Sequence, residues 1–168
     1  MSLTVEFYSA EPLELVILFS EYLASGDDLI LSEKLQTYPM AEFPGRLLIP
    51  DDLNNLCSIL MKYHPLVPPH FNTLCIKQLW NDGCGSETLT LLSDQFVSEL
   101  ATFSESEIEQ AALAWAATFP LQEPLQQSLP YTGVLQLQTV ARDTVVHKKS
   151  LLFYLAGVPG FFDYLRSL

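Results

Sequence analysis

The residue of this sequence whose setting best suits covalent chemistry is Cys84, in the tetrapeptide Asp82-Gly83-Cys84-Gly85. Small neighbours in a tight turn let a substrate and backbone amides approach a thiolate, and a nearby base or cation activates the thiol by lowering its pKa. The bases available are His64, His70 and His147, and only the fold can bring one of them to Cys84. The pattern leaves open a small thiol-dependent enzyme, beside the simpler interpretation of a half-exposed cysteine in a glycine turn.

Cys84 also belongs to a set of soft or borderline metal ligands, which comprises Cys57, His64, His70, Cys75 and Cys84. Any four of them would complete a tetrahedral zinc site. Apart from the loose pair His70 and Cys75, their spacing does not match the short Cys–Cys and His–His intervals that position zinc ligands locally. Cys57 also lies on the apolar side of a predicted helix, where core thiols are common. We predict no metal and no cofactor, and keep a zinc-dependent enzyme centred on Cys84 as the alternative.

The sequence lacks other motifs for catalysis or phosphate binding. Residues 155–160 predict a strand that runs into a glycine turn, a junction whose free amides can hold a phosphate when a helix follows. Pro159 removes one of those amides, and neither the G-x-G-x-x-G pattern nor the P-loop pattern is met. The adjacent pairs Asp27-Asp28 and Asp51-Asp52 stand where the ends of helices or strands need polar caps. A structural role is therefore the better interpretation of all these residues.

The sequence is strongly acidic, with a formal net charge of −12 from 20 acidic and 8 basic residues. Residues 1–56 carry ten acids against Lys34 and Arg46, whereas residues 128–168 carry four bases against two acids. A field of this sign repels phosphate backbones and anionic lipid surfaces, which bind clustered lysine and arginine. We therefore expect no nucleic-acid and no membrane partner. The acidity indicates either a basic protein partner or a device that keeps an apolar domain in solution.

Two segments have the composition of a binding surface. Glu105, Glu107 and Glu109 lie at the start of a predicted helix, under two overlapping capping-box patterns. The C-terminal segment combines aromatic side chains with an arginine, as the centres of interfaces do, in Phe161, Phe162, Tyr164 and Arg166. These aromatic residues are also compatible with packing in the core or with a homo-oligomer.

Length and composition predict one globular domain over residues 1–168. The apolar fraction is 49% and the charged fraction 17%, so the chain must bury much apolar surface or cover it with a partner. The longest apolar run, residues 15–19, is far too short to cross a membrane, and no basic segment precedes it. Three sparse cysteines indicate a reducing compartment, so we expect a cytoplasmic protein.

The hydrophobic patterns predict an α/β fold, with mixed α+β as a possible variant, in which about four to six strands form a sheet under about five to six helices. Strands are predicted over residues 3–8, 29–31, 46–49, 88–92 and 151–156, and helices over residues 10–24, 51–63, 93–100, 104–119, 134–149 and 161–168. Ser9 is the predicted N-cap of the first helix, which is apolar over most of its circumference and is therefore expected to be buried. Residues 71–80 fit a helix or a strand, and residues 134–147 fit a helix better but leave a strand open because their first half alternates. Residues 38–45 and 120–132 are predicted loops.

The absence of a strong catalytic motif, together with the acidic first third, favours a non-catalytic protein-interaction module. Such a protein would act as an adaptor, an inhibitor or an immunity-type binder of a basic protein partner. The alternative is the small thiol- or zinc-dependent enzyme centred on Cys84.

Overall fold

A five-stranded antiparallel sheet forms the centre of the protein, in a computed structural model that describes residues 4–43 and 50–157. Its strands follow the spatial order β2-β1-β5-β4-β3 and are β1 (Thr4–Ala10), β2 (Met40–Phe43), β3 (Cys75–Asn81), β4 (Glu87–Leu92) and β5 (Ser150–Ala156). The helices are α1 (Pro12–Ser25), α2 (Asp28–Leu35), α3 (Pro50–Met61), α4 (Asp94–Thr102), α5 (Glu105–Ala116) and α6 (Leu129–His147). The predicted α/β class, with a sheet covered by helices, is confirmed.

The helices cover the two faces of the sheet unequally. The larger hydrophobic core unites α3, α4, α5 and α6 with one face of the sheet, and Trp115 and Phe153 lie fully buried within it. Among the described helices, only α1 and α2 join the smaller core on the opposite face, around Phe19 and Leu152. The result is a three-layer arrangement whose second helical layer is much smaller than the first.

Strand β5 lies between β1 and β4 and is buried on both of its faces. It pairs in antiparallel fashion with β1 over seven residue pairs and with β4 over five. Successive side chains of a strand point to opposite faces, so Phe153 enters the larger core whereas Leu152 and Tyr154 enter the smaller one. The continuous apolar run of residues 151–155 is thus typical of a fully buried central strand.

Several helices begin or end at the residues that the local sequence predicts. Gly26 ends α1 in the left-handed conformation, with φ 67°. The Ser93 side chain caps α4, and Ser104 and Glu107 form the reciprocal capping box of α5. The apolar stripe of α5 and the turn after it is buried as expected, at Ile108, Ala112, Trp115 and Phe119.

Four predicted elements are wrong. Ser9 is part of β1 and does not cap α1, whose N-cap is Glu11. Residues 29–31 are helical in α2, because the Asp27 carboxylate accepts a hydrogen bond from the Ile30 amide and starts a helix there. Residues 40–43 form β2 because β1 supplies a pairing partner distant in sequence. The predicted loop over residues 120–132 ends early, since Ser128 caps α6.

The segment left undecided by its pattern contains both kinds of structure. Phe71–Leu74 is a short 3₁₀ helix, and β3 follows it directly. The predicted strand over residues 46–49 and the predicted helix over residues 161–168 lie outside the described residues.

Helix α6 approaches the backbone of β2 closely at Gly133. A Cβ atom built at Gly133 would lie 2.8 Å from the carbonyl oxygen of Glu42 and 2.7 Å from a ring carbon of Phe43. One turn further along α6, the Gln136 side chain accepts a hydrogen bond from the Glu42 amide at 3.5 Å. The absence of a side chain at Gly133 therefore allows α6 to cover the edge of the sheet.

We expect Gly133→Ala to destabilise the protein, by about 1–3 kcal/mol, because the added methyl group meets backbone that cannot move aside. Helix propensity alone predicts the opposite sign, since alanine is favoured over glycine by about 1 kcal/mol in a helix interior. Urea unfolding followed by circular dichroism measures the difference. Thr139→Ala, on the exposed side of the same helix, is the control and should change stability by no more than about 0.5 kcal/mol. An unchanged or higher stability for Gly133→Ala would contradict the close packing of α6 on β2.

Candidate functional site

Large apolar side chains are exposed on α1 and α2. Within the described part of the chain, ten large hydrophobic residues are highly exposed, and five of them belong to these two helices: Leu13 (69%), Ile17 (49%), Leu23 (53%), Leu29 (77%) and Ile30 (49%). The first helix packs against the sheet as expected, but it buries only part of its apolar circumference. Only one side of α1 reaches the sheet, through Leu15, Leu18 and Phe19, and its other apolar side faces outward.

A groove of about 380 Å³ runs between α1 and the end of α2, where Lys34 and the following turn residues Thr37 and Tyr38 form its second side. Ile17 and Leu18 provide apolar lining, and Glu14 and Glu21 line the groove from the same helix. Two polar contacts cross it: Lys34 Nζ lies 3.5 Å from a Glu21 carboxylate oxygen, and the Tyr38 hydroxyl lies 3.5 Å from Glu14. The groove thus combines an apolar strip with acidic side chains.

The α1–α2 layer carries a large excess of negative charge. Residues 11–35 contain six acidic residues and one base, Lys34. The ion pair of Lys34 with Glu21 is half-exposed on both sides, at 53% and 63%, so it contributes little to stability and its partners are readily exchanged. The negative charge of this layer would attract an approaching cationic group.

Carboxylates and tyrosines continue the acidic surface across the sheet beside α1 and α2. We call this group the carboxylate–tyrosine cluster, and it consists of Glu6, Glu42, Glu87, Tyr8 and Tyr154. Glu6 on β1 stands directly opposite Glu42 on β2 and, on its other side, opposite Tyr154 on β5. The Tyr8 hydroxyl donates a hydrogen bond to Glu6, and the Tyr154 hydroxyl donates one to Glu87 at 2.9 Å.

Burial and mutual repulsion act on the acids and phenols of this cluster. Burial raises the pKa of Glu6, and the neighbouring Glu42 adds to the rise, while the hydrogen bond from Tyr8 opposes it. Burial and the nearby carboxylates also raise the pKa of both Tyr8 and Tyr154, so their hydroxyls remain protonated donors at neutral pH. Among the described residues, no lysine or arginine forms an ion pair with Glu6, Glu42 or Glu87. Like charges placed opposite each other in a sheet are destabilising unless a cation relieves them.

Tyr22, near the end of α1, connects the two parts of the surface. Burial raises the pKa of Tyr22, and so do the negative charge of Glu87 and a hydrogen bond with Asp28. Tyr154, in turn, lies close enough to Tyr22 and Glu6 for both to raise its pKa. We therefore treat the α1–α2 layer and the carboxylate–tyrosine cluster as one surface and call it the acidic face.

Cys84 lies exposed in the turn between β3 and β4, and Asp82 organises that turn. The Asp82 carboxylate accepts hydrogen bonds from the amides of Cys84, Gly85 and Ser86 at 3.0, 2.7 and 3.2 Å. Burial acts to raise the pKa of Asp82, but the hydrogen bonds from the Ser86 hydroxyl and the turn amides outweigh it and lower the pKa. The Cys84 amide is thus already engaged, and among the described residues no hydrogen bond joins its thiol to a histidine.

His64 forms a network with acids from two helices. Its Nδ1 lies 3.1 Å from Glu99 of α4, and its Nε2 lies 3.8 Å from Glu107 of α5. Its ring stacks on Phe103, with the ring centroids 4.1 Å apart. Glu107 also completes the capping box with Ser104, whose hydrogen bonds lower the Glu107 pKa. The network therefore joins the end of α3 to the junction between α4 and α5.

The possible zinc ligands are not brought together. Cys57 is buried in the larger core, where burial raises the pKa of its thiol to about 12. Cys75 packs at the rim of that core, and its thiol contacts the carbonyl of Phe71 at 3.8 Å. Over residues 4–43 and 50–157, no three His, Cys, Asp or Glu side chains are grouped as a metal ion would require.

The sequence-predicted binding residues are only partly described. Glu105 and Glu109 are exposed at the start of α5, and Glu107 is partly covered by its contacts with Ser104 and His64. The C-terminal residues Phe161, Phe162, Tyr164 and Arg166 lie outside the described residues.

Sequence reasoning identified the acidity of the first third but missed the acidic face. The available signal was that Leu13 and Ile17 lie on the side of α1 opposite to Leu15 and Phe19.

Comparison with known proteins yields no relative: the chain matches no protein-family model, and neither curated proteins nor solved structures give a significant match. None of the described helices is both long and apolar enough to span a membrane.

We expect Cys84 to be alkylated rapidly in the native protein at pH 8, and Cys57 only after unfolding. Cys84 is exposed in a turn, whereas Cys57 is 1% exposed and its pKa of about 12 leaves almost no thiolate. Mass spectrometry of peptides after timed labelling measures both rates, and Cys84→Ser identifies the fast site. Rapid labelling of Cys84 that persists in acidic solution would mark an activated thiolate and favour the enzyme alternative.

We expect Glu6→Gln to raise the free energy of unfolding at pH 7. Because the folded state raises the Glu6 pKa, its contribution to stability is complete below the unfolded pKa of about 4.3 and is lost as the pH rises through the folded value. Glutamine does not ionise and still accepts the hydrogen bond from Tyr8, so the gain should vanish near pH 4. Urea unfolding at pH 4 and pH 7 tests this, with Glu109→Gln, at an exposed position, as the control for net charge. A loss of stability at pH 7 would show that ionised Glu6 is stabilised in the fold.

Proposed function

We propose that this protein is a non-catalytic interaction module that binds a basic protein partner through its acidic face. The observation that carries the proposal is that exposed apolar side chains and carboxylates without an ion pair among the described residues lie on the same side of the sheet, from Leu13 and Ile17 on α1 to Glu6 and Glu87 on the strands. Apolar contact provides affinity, and complementary charge provides orientation and fast association. In this proposal the protein acts in the cytoplasm as an adaptor, an inhibitor or an immunity-type binder.

The composition of the acidic face favours binding over a role in solubility alone. A surface that only keeps a protein in solution needs dispersed charge and gains nothing from exposed leucine and isoleucine. On the acidic face, Leu29 is 77% exposed beside Asp28, and Leu13 is 69% exposed beside Glu14. Apolar patches rimmed by polar residues are typical of sites for protein interaction.

The start of α5 offers a second acidic surface, formed by Glu105 and Glu109. Both side chains are exposed, but their neighbour Glu107 already interacts with Ser104 and His64. The neighbouring apolar residues Ile108 and Ala111 are buried, so among the described residues this surface lacks the apolar component. It therefore serves as the rival against which the acidic face is tested.

The experiment compares two variants, each of which removes three negative charges, in affinity capture from a lysate of the source organism. The first, Glu6→Gln/Glu42→Gln/Glu87→Gln, alters the acidic face, and the second, Glu105→Gln/Glu109→Gln/Glu123→Gln, alters exposed acids elsewhere. We expect the unmodified protein to retain a basic partner at about 50 mM salt and to lose it at about 500 mM, where the screening length is several times shorter. The first variant should bind that partner at least tenfold more weakly, and the second should bind it almost normally.

Three results would overturn this proposal. Capture that survives high salt would show that charge does not direct the interaction. Equal weakening in the two variants would show that only net charge matters. Loss of binding in the second variant alone would place the interface at α5.

A further inference from the structure

We infer that the segment of the partner that docks on α1 and α2 is a basic amphipathic helix seated in the groove between them. The inference rests on the proposed function, which it extends by stating the form and chemistry of the docking segment. It requires an apolar stripe on the incoming helix, with lysine or arginine along the margins of that stripe.

The exposed apolar side chains in and beside the groove have the spacing of a helix-binding surface. Leu13 and Ile17 are four residues apart on α1 and therefore lie on the same side of the helix, one turn apart. Ile17 and Leu18 line the groove, whereas the exposed side chains of Leu13 on α1 and Ile30 on α2 lie outside its lining. Two helices packed side by side leave a channel between their ridges, and a third helix can fill that channel with side chains spaced three or four residues apart.

The charges of the groove specify a basic occupant. Glu14 and Glu21 line it seven residues apart on α1, which separates them by about 10 Å along the helix axis. Ile17 and Leu18 lie between these two carboxylates. A docked helix that carries cationic residues two turns apart could reach both carboxylates while its apolar stripe contacts Ile17. The exposed pair of Lys34 with Glu21 yields to such a partner at little cost.

The backbone of the groove favours a helix over an extended peptide. An extended peptide binds well when it adds to an open sheet edge that accepts its backbone hydrogen bonds. The groove is lined by α1, by Lys34 at the end of α2, and by Thr37 and Tyr38 in the turn that follows. The amides of Thr37 and Tyr38 already donate hydrogen bonds to the carbonyls of Lys34 and Leu35, and no strand residue lines the groove. A strand laid there would leave buried backbone groups unsatisfied, whereas a helix satisfies its own.

The test measures fluorescence anisotropy with two labelled synthetic peptides of about 18 residues that contain the same numbers of leucine and lysine. One peptide repeats leucine at helical spacing, and the other has the same residues in an order that gives no helical stripe. Because the two peptides carry equal charge, electrostatic attraction to the acidic face contributes to the binding of both. The difference between their affinities therefore reports the contribution of the helical stripe. We expect the helical peptide to bind at least tenfold more tightly and to gain helicity by circular dichroism when bound.

Ile17→Ser locates the site, and Val145→Ser is its matched control. Ile17 is 49% exposed and Val145, on α6, is 48% exposed, so each change removes a similar exposed apolar side chain. We expect Ile17→Ser to weaken binding of the helical peptide about fivefold, as the loss of half an isoleucine contact implies, and Val145→Ser to have no effect. Circular dichroism of each free variant confirms that the fold is retained.

The outcomes separate this inference from the proposed function. Equal, salt-sensitive binding of both peptides would overturn the helical docking mode and leave the acidic face as a charge-directed surface. An effect of Val145→Ser equal to that of Ile17→Ser would place the peptide elsewhere and overturn the inference. A dimer in sedimentation that Ile17→Ser dissociates would show that a second copy covers the groove, which also overturns it. Failure of both peptides to bind, together with failure of the capture experiment, would remove the proposed function as well.

Discussion

The insertion of β5 between β1 and β4 is the constraint on which the rest of the structure depends. Without it, the sheet separates into the pair β1–β2 and the pair β3–β4, since β5 alone bonds to both. Its side chains also enter both hydrophobic cores, so one strand couples the α1–α2 layer to the layer of α3 to α6. Because β1 and β5 lie at opposite ends of the described chain, this pairing has to overcome a large loss of chain entropy, which burial on both faces of β5 offsets.

The unequal covering of the sheet produces the acidic face. Over residues 4–43 and 50–157, four helices bury one side of the sheet, whereas the short hairpin of α1 and α2 covers part of the other. Glu6, Glu42 and Glu87 occupy strand positions on the side that carries α1 and α2, and tyrosine hydroxyls satisfy two of these acids. Natural proteins tolerate such repulsion where it serves binding, because stability and function compete at functional surfaces.

The residues most suggestive of chemistry have structural explanations in the fold. Asp82 uses its carboxylate to hold the β3–β4 turn in which Cys84 lies, and His64 joins α4 and α5 through Glu99 and Glu107. Structural clusters of this kind resemble catalytic sites when only their residue types are considered. Both kinds of cluster bring acids, bases and hydroxyls close together. What distinguishes the acidic face is that exposed apolar side chains on α1 and α2 accompany its carboxylates, whose one ion pair with a lysine or arginine among the described residues is that of Glu21 with Lys34.

The sequence by itself determined the features that depend on near neighbours. The cap of α5 needs only Ser104 and Glu107, the end of α1 needs only Gly26, and the strand β5 follows from its unbroken apolar run. The sequence also determined the net acidity and the α/β class. Only the tertiary structure decided that residues 40–43 form a strand, that Glu6 meets Glu42, and which side of α1 faces outward. These outcomes depend on contacts between residues far apart in the chain. A local sequence pattern does not determine the energy of such contacts.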